Sequence, residues 1–154
     1  MIIALASAPA CAYVEAMPSF SDIAADFAFL DEWDERYKYL IDLGRALEPY
    51  PKVFRDDAHK VRGCASQVWL HAEDAEKGGA RVIRFYGDSD AHIVKGLVAL
   101  LIALYADRSP EEILATDARA ALAPFDLEGH LTPQRSNGLA SMIKRVNEIA
   151  ATRA

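Results

Sequence analysis

A chain of 154 residues, 52% hydrophobic and 26% charged, is long enough for one domain and too apolar for a disordered segment. Its net charge of −6 argues against a nucleic-acid binder, which needs a basic surface to neutralise phosphates. Two cysteines, Cys11 and Cys64, make neither a disulfide framework nor a four-thiolate metal site, so the default is free thiols in a reducing, cytoplasmic setting.

The first nineteen residues are apolar and rich in small side chains, yet the first Lys or Arg in the chain is Arg36. The charged start of a signal peptide is therefore missing. The expectation is an N-terminal extension over 1–19, poorly ordered, with Met17 a candidate natural start, followed by one domain over 20–154. Ser21 or Asp22 is placed to cap a helix reaching Leu30, with Ile23, Phe27 and Leu30 on one face. A longer helix is predicted from Glu32 to Glu48, with Pro49 and Pro51 ending it.

The middle of the chain changes period. Residues 67–72 and 81–86 read as strands joined by a Lys77-Gly78-Gly79 turn, and Lys60-Val61-Arg62 as a third short strand. His92 to Ala106 is apolar nearly all round, which marks a buried central helix. Interrupted by Lys95, it falls short of the ~20 residues a membrane span needs. Ser109-Pro110-Glu111-Glu112 carries the signals of a helix start, 117–124 is a further short helix, and a last helix runs from Pro133 to Ala151. The predicted class is α+β, with a small, about three-stranded antiparallel sheet and helices packed on one side.

The segment His59-Lys60-Val61-Arg62-Gly63-Cys64-Ala65-Ser66-Gln67 is the strongest candidate for chemistry. A cysteine acts as a nucleophile in its thiolate form, and nearby cations such as Arg62, Lys60 and His59 would lower its pKa. Gly63 permits a sharp turn just before the thiol. Buried free cysteines that merely pack are common, so spacing alone leaves both readings open. Gly87-Asp88-Ser89-Asp90-Ala91-His92 offers carboxylates and an imidazole, but no further metal ligand is marked. Ser89 or Asp90 capping the next helix is the simpler reading. Gly129 to Leu139 leads through His130 and Arg135 into the last helix; a Cys64–His130 hydrolase pair is conceivable from composition only.

Four blocks together carry more: RYKYLIDLG (36–44), VRGCASQVW (61–69), GDSDAHIVKGL (87–97) and HLTPQRSNGL (130–139). In this order and spacing they resemble the SufE family of sulfur acceptors, which partner cysteine desulfurases in iron–sulfur cluster assembly. The resemblance runs from about Phe20 to Ala150 and is silent on the first nineteen residues and on Cys11. It implies a SufE/IscU-like fold, no cofactor of the chain's own, and a partner desulfurase (SufS- or CsdA-like) that brings the pyridoxal phosphate. It implies further that Cys64 takes sulfur from the desulfurase persulfide and hands it to a scaffold (SufBCD-like), as a carrier rather than an independent turnover enzyme, with no nucleic acid or membrane involved.

Arg135, Asp90, Gln67, Ser66, Arg62 and Gly63 are the residues expected to support Cys64. Arg135 would stabilise a thiolate or persulfide anion, Asp90 would pin the loop or meet the partner, and Gln67 and Ser66 would supply hydrogen bonds at the same mouth. A persulfide needs shelter, whereas burial raises a thiol pKa and slows attack. Cys64 is therefore expected to rest sheltered and to emerge when the partner docks. Two rivals follow: an iron–sulfur scaffold, which fails for want of ligands, and an allosteric modulator of a desulfurase in which Cys64 is structural.

Overall fold

The computed structural model describes residues 17–154; expectations for residues 1–16, Cys11 among them, fall outside the described residues. Helix α1 spans Phe20–Phe29 and is capped by Ser19, whose Oγ accepts the Asp22 amide at 3.1 Å. The cap thus lies two residues before the predicted Ser21, because the amide of Asp22 is itself the donor that needs satisfying. Phe27 packs against Phe125 with ring centroids 4.9 Å apart.

Helix α2, Trp33–Arg45, ends earlier than predicted. The Ala46 and Leu47 amides bond back three residues, to Leu43 and Gly44, and tighten the last turn. Glu48 precedes Pro49, and a residue before proline is pushed out of the helical region. The central helix α3, His92–Leu104, is buried on nearly every face, as its composition requires. It crosses α2 at very short range: a Cβ on Gly96 would lie 2.2 Å from the Leu40 carbonyl oxygen, and one on Gly44 would lie 2.8 Å from the Gly96 nitrogen. Only glycines permit that approach.

Strands β1, Val68–Lys77, and β2, Ala80–Ser89, form one antiparallel hairpin in continuous register from Val68↔Ser89 to Lys77↔Ala80. They run longer than predicted. The two-residue turn Gly78-Gly79 has positive φ at both positions (60° and 81°), which matches the strand twist and lets the charged outer half zip up. Among the described residues the sheet has two strands rather than three. Lys60 makes only an isolated bridge to Trp69, because the chain turns away at once into the Cys64 loop.

The hairpin has two unlike faces. Val68, Leu70 and Phe85 point onto α3 and the last helix, α6 (Pro133–Ala151), which begins and ends where predicted. Burying each such side chain contributes about 1.5–3 kcal/mol. The opposite face is partly covered by two 3-10 turns, Lys52–Phe54 and Asp57–His59. Phe54 stacks on His71 at 3.8 Å between centroids, and the Arg55 guanidinium sits 4.9 Å over the Trp69 ring. Helix α4, Pro110–Ala115, opens with the full capping box between Ser109 and Glu112, and α5, Ala118–Leu122, is capped by Asp117. No described helix is long and apolar enough to cross a membrane.

Candidate functional site around Cys64

The loop bearing Cys64 is closed at its base. The Val61 amide donates to the Val68 carbonyl at 2.8 Å, and residues 62–67 project between those two positions. Gly63 has φ +91°, a left-handed conformation costly for any other residue, and a Cβ there would lie 2.4 Å from Ser141 Oγ. The glycine therefore both turns the chain and lets it lie on α6. Cys64 then falls on Gly138: its thiol donates weakly to the Gly138 carbonyl at 3.6 Å, and a Cβ on Gly138 would sit 3.5 Å from Sγ.

The thiol is half-buried and free. It borders a small hollow of about 20 Å³, room for one water-sized atom, whose walls are the loop (Cys64 to Ser66), α3 (Val94, Leu97) and the start of α6 (Gln134, Arg135, Gly138, Met142). Arg135 is the one charged residue among them. Burial pushes the Cys64 pKa up from its ordinary value. This corrects the expectation that His59, Lys60 and Arg62 would lower it. His59 is turned to the Asp56 carboxylate at 2.7 Å and packs on Phe54, Lys60 bridges to the hairpin, and Arg62 is exposed outside the hollow.

The supporting residues divide into two groups. Ser66 and Arg135 line the hollow with Cys64, over the turn that Gly63 makes. Gln67 and Asp90 do not line it; they tie the loop's exit to the hairpin. The Gln67 amide donates to Asp90 Oδ1 at 3.0 Å, its side-chain nitrogen approaches Oδ2 at 3.4 Å, and the Asp90 amide returns a bond to the Gln67 carbonyl at 3.3 Å. Asp90 is therefore not the cap of α3, and Gln67 offers its hydrogen bonds to Asp90 rather than to the thiol. Ser89 Oγ accepts the Ala91 amide instead, and Ala91, the residue before α3, gives the helix no side-chain cap.

Asp88, only 6% exposed, is held by Arg55 and by Lys95 at 3.4 Å, so the acidic turn is spent on internal ion pairs. His130 does not line the hollow either. Its ring stacks on Trp33 at 3.8 Å, and its backbone carbonyl accepts the Tyr37 hydroxyl. A Cys64–His130 pair is thereby removed from the candidates.

Sequence reasoning gave no site role to Gly138, Met142 and Gln134, although the first two sit one helical turn apart in α6 and Gly138 and Gln134 lie within a block already noted. The missing signal was that α6 passes beneath the Cys64 loop, which no local pattern states.

A half-buried thiol at a glycine turn stands over a one-atom hollow with an arginine in its wall, too small a space for an organic substrate. The model of the Fe-S metabolism associated domain, SufE, matches residues 21–150. An uncharacterized SufE-like protein of Rhizobium etli is 46% identical over 138 residues, covering 90% of this chain and 93% of that protein. Another from Rhizobium meliloti is 45% identical over 137 residues, 89% of this chain and 98% of its own length. The solution structure of a hypothetical protein from Thermus thermophilus shares the fold, with TM-score 0.69 and 24% identity over 89% of this chain and 96% of that one. The chain belongs to the SufE family and so to a domain associated with iron–sulfur metabolism.

Proposed function

We propose that this protein is the sulfur acceptor and activator of a pyridoxal-phosphate cysteine desulfurase, with Cys64 as the nucleophile. The Cys64 thiolate attacks the outer sulfur of the persulfide on the desulfurase cysteine. A new S–S bond forms at Cys64, the old one breaks, and the desulfurase cysteine leaves as its thiolate. No external oxidant or reductant enters, and the exchange follows thiol–disulfide rules. Cys64 then passes the sulfane sulfur to an iron–sulfur scaffold. The pyridoxal phosphate stays with the partner, and the setting is a reducing, cytoplasmic one.

The observation that carries this reading is the hollow beside Sγ: about 20 Å³, enough for one added sulfur atom, walled by Val94, Leu97 and Met142 together with Ser66, Gln134 and Arg135. There Arg135 would steady the persulfide anion while Val94, Leu97 and Met142 keep water and reductants away. At rest the burial that protects a persulfide also holds the thiol protonated. Docking must therefore lift or solvate Cys64 before it attacks. That same resting state favours a second reading, in which the chain stimulates a desulfurase by binding alone and Cys64 is structural.

The reduced protein is incubated with an active cysteine desulfurase and cysteine, and peptide masses are recorded without reductant. The carrier reading expects one extra sulfur on the Cys64 peptide, removed by a thiol reductant and absent in Cys64→Ser, which loses transfer entirely. Undiminished stimulation by Cys64→Ser, with no sulfur on the wild type, establishes the modulator instead.

A further inference from the structure

The Cys64 loop has two arms of unequal security. Its exit arm runs straight into β1 and is bonded at Gln67 to Asp90. Its entry arm, residues 58–61, is hydrogen-bonded to the sheet through the Lys60–Trp69 bridge and the Val61 amide, and the His59 ring stands edge-on to His71 at 5.4 Å. Val61 is buried beside Met142 and Val146 of α6, and the polar tie of that arm to α6 is Arg145. Its Nη2 donates to the Ala58 carbonyl at 2.8 Å and its Nη1 to the Lys60 carbonyl at 3.3 Å. A planar guanidinium can bridge two carbonyls in this way, whereas a lysine ammonium is a point donor.

The spacing along α6 gives this grip its consequence. Gly138, Ser141 and Arg145 lie three and four residues apart, on one stripe of the helix. Gly138 sits beneath Cys64, Ser141 beneath Gly63, and Arg145 beneath the entry arm. The tip itself is bonded to α6 only by the 3.6 Å thiol contact, which is too weak to place it. The other ties upstream, Arg55 to Asp88 and Asp56 to His59, bind the segment to the hairpin and to itself, not to α6. Two walls of the hollow, the loop and α6, are thus coupled through Arg145.

We propose that Arg145 is a positioning residue that holds the Cys64 loop closed over its hollow, a role that deepens the sulfur-acceptor reading and rests on it for its purpose. Arg145 touches no reacting atom. It sets how far the loop stands from Gly138 and Arg135, and so how sheltered the thiol, or a persulfide upon it, is.

The test compares full-length wild type with Arg145→Met, which keeps the aliphatic stem but no donor, and Arg145→Lys, which keeps the charge without the fork. Alkylation by iodoacetamide is followed by mass on the Cys64 peptide, so that Cys11 does not contribute, over a range of pH and with no desulfurase present. Arg145→Met is expected to react about tenfold faster at neutral pH, as befits the loss of a charge-assisted bond pair. Its half-maximal rate should move to lower pH as the thiol gains solvent, and Arg145→Lys should fall between the two. A wild-type rate and pH profile in folded Arg145→Met overturns the proposal. So does an acceleration equal in both variants, or one that merely follows a fall in melting temperature. Should Arg145→Met fail to fold, a wild-type rate in Arg145→Lys overturns it. Because no desulfurase takes part, a failure here leaves sulfur loading untouched, and a failure of loading leaves this result readable.

Discussion

Glycines bring backbone close at the α2–α3 crossing and at the Cys64 loop, to opposite ends. At the α2–α3 crossing Gly96 faces the Leu40 carbonyl, and a Cβ would lie 2.2 Å from it. At the Cys64 loop Gly138 faces a thiol, and a Cβ would lie 3.5 Å from Sγ, an ordinary contact distance. The first contact has no slack and joins the central helix to its neighbour. The second leaves a one-atom hollow. Glycine therefore does not mark function by its presence; the space left beside it does.

Filling each glycine by one methyl separates the two roles. Gly96→Ala pushes a methyl into backbone that cannot move without parting α2 from α3. It should cost about 3 kcal/mol and lower Tm by about 10 °C, as read by thermal unfolding. A loss near zero would show that the crossing is looser than the geometry states. Gly138→Ala should behave in the reverse sense. Thermal unfolding should show Tm unchanged or slightly raised, since Ala favours a helix over Gly by up to about 1 kcal/mol. The methyl takes up space beside Sγ, so desulfurase-dependent sulfur loading should fall about tenfold, equivalent to about 1.4 kcal/mol. Full loading in Gly138→Ala would mean that the added sulfur points elsewhere.

The smallest effect concerns pH. Burial raises the Cys64 thiol above its ordinary value of about 8.5, so the folded protein keeps this proton over a range where the unfolded chain has lost it. Stabilisation from this group is complete below the ordinary value and is lost as the pH climbs through the raised one. Urea unfolding should therefore show wild type losing stability relative to Cys64→Ser as pH rises above about 8.5, by no more than about 1 kcal/mol because the thiol is only half-buried. A constant difference between the two would indicate a solvated thiol and remove the contrast with the α2–α3 crossing.

Much of the fold was legible along the chain. The capping box at Ser109, the Pro133–Ala151 helix, the apolar central helix and the glycine turn of the hairpin are local signals, and local hydrogen bonding and periodicity obey them. The errors fell where a residue's local use lost to a distant partner. As a helix cap Asp90 lost to Ser89, while it pins the loop, as expected of it, through Gln67 twenty-three positions upstream; Lys60 looked like strand and became one bridge before the loop turned. His59, Lys60 and Arg62 looked like activators of the thiol because they are near in sequence, but adjacency in a turning loop does not set direction.

By itself the sequence determined the SufE family, the order of the elements and Cys64 as the residue to watch. These rest on residue identity and on spacing along one chain, which need no third dimension. Tertiary structure alone decided that α6 runs beneath the loop, that Gly138 leaves a hollow beside the thiol, that burial raises the thiol pKa, and that Arg145 grips the entry arm from eighty-five positions away. Burial and the meeting of distant groups depend on packing over the whole core, and packing is a property of all the residues at once.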